Sequence, residues 1–208
     1  MPLGHVMQRL RRGDFAYLRY LAAVRWYGLD VHAVSLNELG LSSERSVAYE
    51  TSGGPDLDRV LRQVGIPPQS RVLDLGSGKG GACLTLARHF AEVVGVELSP
   101  ALVRIAEQNA IKAGVRVNLI CADAATFTDF DRFSHLYLFN PFPPVVLTAV
   151  MQHLRASLIR RPRPFTLIYK YPGMPSVEPS LFALKRVIRL PLSHPFFVFN
   201  STSQICTV

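Results

Sequence analysis

Hydrophobic and polar positions change their period along this chain. Up to about residue 64 the apolar residues recur at helical spacing. Phe15 to Trp26 (FAYLRYLAAVRW) is rich in aromatic and aliphatic residues, but Arg19 and Arg25 interrupt it too often for a membrane span. Leu57, Val60, Leu61 and Val64 repeat every three to four positions and predict a helix over about Asp56 to Val64, ended by Gly65, Pro67 and Pro68. From Arg71 onward short apolar runs alternate with helical stretches. RVLDLG runs into glycines and is followed by a helix over about Gly81 to Phe90. VVGVEL precedes a helix opened by Ser99 as cap and Pro100 in the first turn. VRVNLICAD is a third strand, HLYLFN a fourth, and a helix over Val145 to Leu158 leads to a fifth, PFTLIYKY. Strands that alternate with helices of this length imply a parallel sheet with right-handed crossovers. RVIRLPLS and FFVFNSTS are separated only by His194 and Pro195, a connection suited to an antiparallel hairpin. The expected fold is α/β: a Rossmann-like three-layer sandwich of about seven strands, five parallel plus a C-terminal antiparallel hairpin. Residues 1–45 read as an N-terminal helical extension and residues 46–208 as the main domain.

The densest chemistry lies in Val72-Leu73-Asp74-Leu75-Gly76-Ser77-Gly78-Lys79-Gly80-Gly81. A strand that enters glycines and leaves as a helix lets the backbone turn sharply and approach a ligand closely. Gly76, Gly78 and Gly81 also satisfy the dinucleotide pattern G-x-G-x-x-G, and Glu97 follows about 20 residues later, where an acid takes a ribose hydroxyl. The glycines alone therefore leave a nicotinamide cofactor and S-adenosylmethionine both open. Asp74 helps to separate them. A carboxylate at the mouth of the strand repels a pyrophosphate and attracts an ammonium or sulfonium. Its other role is to accept hydrogen bonds from loop amides.

DLGSGKG followed by GVELSP resembles motif I and the next acidic motif of the class I S-adenosylmethionine-dependent methyltransferases, and the resemblance runs from about Tyr49 to Tyr171. It implies a cofactor site made of Asp74, Gly76, Ser77, Gly78, Glu97, Leu98, Asp123 and Ala124, with Glu97 on the ribose hydroxyls and Asp123 at the adenine amino group. Tyr49-Glu50-Thr51-Ser52 resembles, more weakly, a Tyr-Gly-Glu-Thr-Ser stretch of the non-SET histone lysine methyltransferases; the glycine is missing here. That likeness implies cofactor contact by Tyr49 and Thr51 and does not carry a histone substrate with it. Phe139-Asn140-Pro141-Phe142-Pro143-Pro144 is similar to the Asn-Pro-Pro-Tyr/Phe motif of amino-group methyltransferases with the order changed. It implies that Asn140 meets the cofactor and the acceptor, its carbonyl orienting an amine. The bland reading of the same segment is a rigid strand-to-helix turn with Pro144 at the helix start.

His135, His153 and His194 are the candidate bases, and none has a partner legible in the sequence. No metal site is expected, since the fourth strand ends Phe-Asn rather than in acids. Cys83, Cys121 and Cys206 are too few and too scattered for a disulfide framework or a zinc site, which fits a reducing cytoplasm. No apolar run is long enough to span a membrane, and no secretory leader is expected. A net charge of +8 arises from 23 basic and 15 acidic residues. Its clusters, Arg9, Arg11 and Arg12 and then Arg160, Arg161 and Arg163, read first as a solvated basic surface, with no aromatic residues interleaved as a single-strand platform requires. The leading expectation is methyl transfer from S-adenosylmethionine to an acceptor, protein or small-metabolite nitrogen or oxygen being favoured and nucleic acid possible. The alternatives are an NAD(P)-dependent oxidoreductase and a non-catalytic S-adenosylmethionine-binding module.

Overall fold

A computed structural model describes residues 3–34, 52–139, 142–170 and 181–202. Two helices lead, α1 (Leu3–Arg11) and α2 (Phe15–Trp26), and α3 (Pro55–Val64) precedes the sheet. Then come β1 (Arg71–Leu75), α4 (Gly81–Leu86), β2 (Glu92–Glu97), α5 (Pro100–Ala113), β3 (Asn118–Cys121), β4 (His135–Phe139), α6 (Pro144–Arg160), β5 (Thr166–Lys170), β6 (Phe182–Ile188) and β7 (Phe196–Ser201). The strands form one sheet in the order β3-β2-β1-β4-β5-β7-β6. β1 to β5 pair in parallel, and β7 runs antiparallel to both β5 and β6.

Local signals set the helix ends. The Ser99 hydroxyl accepts from the Leu102 amide, Pro100 opens α5, and Gly114 ends it in the left-handed region at φ 64°. Asp14 caps α2 by accepting from the Tyr17 amide. Pro144 stands in the first turn of α6, as its fixed φ favours.

Both sheet faces are buried, so the strands are apolar at nearly every position. Leu73, Leu75, Val94, Val96, Leu136 and Leu138 pack with Val150, Met151 and Leu154 of α6. Val72, Val93, Tyr137 and Ile168 pack on the opposite face with Leu57 and Leu61 of α3 and Cys83 and Leu86 of α4. Asp74 follows Val72 by two residues and so shares the α3–α4 face.

Two details depart from the sequence reading. β6 lies earlier than expected, over Phe182–Ile188, and seven residues rather than two join it to β7. Pro191 has no amide to give a ladder, and Leu192 sits at φ 59°, so the chain turns there instead of continuing. The helix expected to reach Phe90 stops at Leu86 and passes into turns.

The arginine clusters are also not a uniform solvated surface. Arg9 is only 3% exposed. It donates to both oxygens of Asp56, at 2.8 and 2.5 Å, to Asp14 at 2.8 Å and to the Leu192 carbonyl at 3.1 Å. Its guanidinium stacks over the Tyr17 ring. One side chain thus ties α1 to α2, to the start of α3 and to the β6–β7 turn. Asp14 also meets Arg59, and these hydrogen bonds hold its carboxyl down at about 2. Arg163 is engaged as well, donating to the carbonyls of Phe130, Phe133 and Arg161.

Removing one partner of a buried ion pair strands the other charge. Arg9→Ala is expected to cost about 3–5 kcal/mol, read as a lowered urea midpoint. Arg11→Ala, at an exposed neighbour, is expected to stay within about 0.5 kcal/mol.

Candidate active site

The carboxyl ends of β1 and β2 carry a close-packed polar group. Beyond Leu75 the chain turns back over β2: the amides of Gly76 and Ser77 both donate to the Val96 carbonyl, at 2.8 and 3.1 Å, and the Gly80 amide donates to the Ser77 carbonyl at 2.9 Å. Gly76, Gly78 and Gly80 have φ of 76°, 54° and 77°, where a side chain would strain the turn. The close approach also needs Gly95 within β2. A Cβ there would stand 2.8 Å from Ser77 Oγ and 2.9 Å from Leu119 Cδ2. Gly95 was not among the expected site residues, though a lone glycine inside a strand signals a close backbone approach.

Glu97 closes the group. Its Oε2 accepts from the Gly78 amide at 3.0 Å and its Oε1 from the Ser99 amide at 2.8 Å. Burial pushes its carboxyl upward, and the backbone amides oppose the rise. Asp74 is 2% exposed and accepts from the Cys83 thiol at 3.2 Å. Burial drives its carboxyl up to about 7; the thiol hydrogen bond lowers it and the Glu97 charge adds to the rise. No lysine or arginine among the described residues is a cause of either shift. Ser77 Oγ is buried with no hydrogen-bond partner among the described residues.

Asp123 follows β3, and its Oδ1 accepts from the Ala125 amide at 2.9 Å in a tight turn. Leu98 is half-buried and its carbonyl accepts from Cys121 Sγ at 3.7 Å. Ala124 is buried in the core beside α6, so its side chain faces packing and only its backbone is left to face a ligand. Asp74, Gly76, Ser77, Gly78, Glu97 and Leu98 therefore gather at one end of the sheet, with Asp123 and Ala124 at the end of the neighbouring strand. Tyr49, Thr51 and Asn140 lie outside the described residues.

A second set of contacts, unforeseen from sequence, braces the loop from the N-terminal side. Lys79, 4% exposed, places Nζ 2.6 Å from Asp30 Oδ1. The buried Asn109 amide donates to the carbonyls of Asp30 and Lys79, at 2.8 and 3.0 Å, and its oxygen accepts from the Asp30 amide at 2.9 Å. A buried Asn at an α5 position and a Lys between loop glycines were the available signals.

Of the candidate bases, His194 packs its ring against Phe139 at the end of β4, 6.5 Å between centroids, and the other two are engaged elsewhere. His135 begins β4, at the opposite end of the strand from Asn140; it meets Ser134 Oγ at 2.9 Å, and burial drives it down to about 4. His153 contacts the Ala125 carbonyl at 3.1 Å. Among the described residues no group of three or more His, Cys, Asp or Glu is placed to hold a metal.

Residues 72–160 match a methyltransferase domain family. A release factor glutamine methyltransferase of Geobacter sulfurreducens is 36% identical over 104 residues, 49% of this chain and 35% of that protein. A 23S rRNA (uracil(1939)-C(5))-methyltransferase of Alkalilimnicola ehrlichii is 44% identical over 59 residues, 28% of this chain and 13% of that protein. The chain spans about a third or less of the length of such curated relatives. Among solved structures, an RNA methyltransferase from Salinibacter ruber in complex with S-adenosyl-L-homocysteine has 24% identity and a TM-score of 0.55, over 76% of this chain and 97% of that one. The reversed β7 also sets this sheet apart from the six-stranded dinucleotide-binding arrangement. Residues 72–160 thus match a methyltransferase domain, and the motif order and sheet order support a class I S-adenosylmethionine-dependent methyltransferase.

Proposed function

We propose that the chain binds S-adenosylmethionine at the ends of β1 and β2 and transfers its methyl group to an acceptor brought to the end of β4. The carrying observation is the pair of buried carboxylates, Asp74 and Glu97, that flank the glycine turn with no cation among the described residues to balance them. The residues fit this ligand. Its ammonium answers the Asp74 charge, its ribose hydroxyls donate to Glu97, and Ser77 Oγ has a hydrogen bond to give or take. Gly76, Ser77 and Gly78 line the backbone side, Leu98 and Ala124 flank the adenine, and Asp123 meets its amino group. Tyr49 and Thr51 are assigned to the methionine end.

When bound, the cofactor supplies a sulfonium-activated methyl, so alignment is the main demand on the protein. Asn140 is assigned that task, accepting a hydrogen bond from the acceptor through its carbonyl. The acceptor class stays between protein and nucleic acid, as the names of the relatives divide. Residues 46–208 form the catalytic domain in this reading, and residues 1–45 an extension docked on it. No helix among the described residues is long and apolar enough to cross a membrane, and free Cys83 and Cys121 support a cytoplasmic location.

Three outcomes test the assignment. Glu97→Ala is expected to weaken S-adenosylmethionine binding by about tenfold or more in calorimetry, from the loss of hydrogen bonds worth about 1.5–3 kcal/mol to a charged group. Wild type that binds NAD and neither S-adenosylmethionine nor its demethylated product would overturn the reading.

Asp74 makes binding and stability depend on pH. Its folded carboxyl titrates near 7, above the ordinary 3.8, so the folded state holds a proton that the unfolded state has released. Stability of the ligand-free protein is expected to fall as pH rises from about 4 to 7, and Asp74→Asn to flatten that fall. Cofactor binding at pH 6.5, about half a unit below that midpoint, is expected to release protons, seen as a dependence of calorimetric heat on buffer ionisation enthalpy.

Asn140→Ala is expected to lower the single-turnover rate strongly while cofactor affinity changes little, because alignment acts on the barrier. A folded variant with unchanged single-turnover rate removes Asn140 from the site; a lowered melting temperature with that rate intact assigns it to the Pro141 turn.

A further inference from the structure

A groove of about 440 Å³ runs between α2 and the outer side of α3 and α4, and neither Asp74 nor Glu97 lines it. Arg19 enters it from α2, Arg62 from α3 and Arg88 from just beyond α4, with the rings of Tyr20 and Tyr27 along its α2 wall. Asp58 is the acid in its lining, and that carboxylate is already engaged by Arg62 at 2.8 Å and by His89 at 2.8 Å. Arg19 and Arg88 are exposed and have no carboxylate partner among the described residues. The groove therefore carries an excess of positive charge on a partly apolar floor that includes Leu84 and Val115.

The face of α2 that carries Arg19 also carries exposed rings. Phe15, Arg19, Ala22 and Trp26 recur at helical spacing and all four are exposed, so they form one stripe along α2. Phe15 is 69% and Trp26 85% exposed, and Tyr27 is 50% exposed. Two aromatic faces with a guanidinium between them make the arrangement that the arginine clusters alone lacked. Helical periodicity, not adjacency in sequence, brings it together. We propose that this groove binds single-stranded nucleic acid, phosphates on Arg19, Arg62 and Arg88 and bases stacked on Trp26, Tyr27 and Phe15. An anionic bilayer also attracts arginines and aromatic rings, but it presents a flat surface, and three arginines from three different elements face one another here across a concavity.

The full chain is titrated into fluorescein-labelled oligouridylate and oligothymidylate and followed by anisotropy at several salt concentrations. Wild type is expected to bind. Arg19→Ala/Arg88→Ala is expected to lose at least tenfold in affinity and to reduce the slope of log K against log salt by about 1.4, two single-strand phosphate contacts at about 0.7 each. Trp26→Ala is expected to lose about fivefold or more through stacking. All the substituted residues are exposed, so melting temperatures and S-adenosylmethionine affinity are expected to stay at wild-type values, which separates this site from the cofactor site. Oligonucleotide affinity that is absent in wild type or unchanged in the variants overturns the proposal. So does binding to phosphatidylserine–phosphatidylcholine vesicles that the same substitutions abolish while oligonucleotide affinity stays unchanged.

Discussion

Burying two carboxylates side by side with no cation among the described residues to balance them is costly, and much of the architecture answers that cost. A carboxylate deprived of water must be hydrogen-bonded or give up its charge. The two groups use different solutions. Glu97 takes the amides of Gly78 and Ser99, so the loop that carries the glycines is also what solvates the acid. Among the described residues Asp74 has the Cys83 thiol, a weak donor, and it answers with a carboxyl that titrates near neutral pH. Glu97 is thereby ordered before any ligand arrives, and Asp74 is left short of one strong partner. A site built to receive a cation needs such a shortfall.

The glycine turn depends in its own way on a position 19 residues later. The turn folds onto β2 because Gly95 leaves room for Ser77, and the register that sets Asp74 beside Gly95 fixes which strand residue must lack a side chain. Lys79 then anchors the far side of the turn to Asp30, and Asn109 ties Asp30 to α5. The N-terminal segment is part of the same construction: Arg9 binds it to Asp56 at the start of α3, and Lys79 binds it to the loop. An ordered loop reduces the conformational entropy that ligand binding has to remove.

The parts that were legible in the sequence are those where local chemistry and tertiary packing agree. Strands with both faces buried read as apolar runs, Ser99-Pro100 read as a helix start, and Asp74, Gly76, Gly78 and Glu97 read as a site because their types and spacing serve one ligand geometry. Partnership across distance was not legible. Nothing near Arg9 in sequence indicates that Asp56 will neutralise it 47 residues away, and Arg163 looks like a surface charge until three backbone carbonyls converge on it. β6 was placed too late because RVIRLPLS is apolar enough for a strand, while the pairing of Ile188 with Phe196 ends the ladder before Pro191. Ala124 shows the same limit from another side: its neighbour Asp123 occupies the expected strand end, yet its own methyl group turns into the core.

The arginines of this chain therefore divide by what they face rather than by where they cluster. Arg9 and Arg163 are consumed by the fold, and Arg160 and Arg132 by ion pairs with Asp131 and with Asp129 and Glu92. A net charge of +8 describes none of this. After those pairs are removed, two of the remaining arginines, Arg19 and Arg88, open onto the same groove. Where two such charges share one groove, the local charge excess beside stacking surfaces can select a ligand where a diffuse one only attracts counterions.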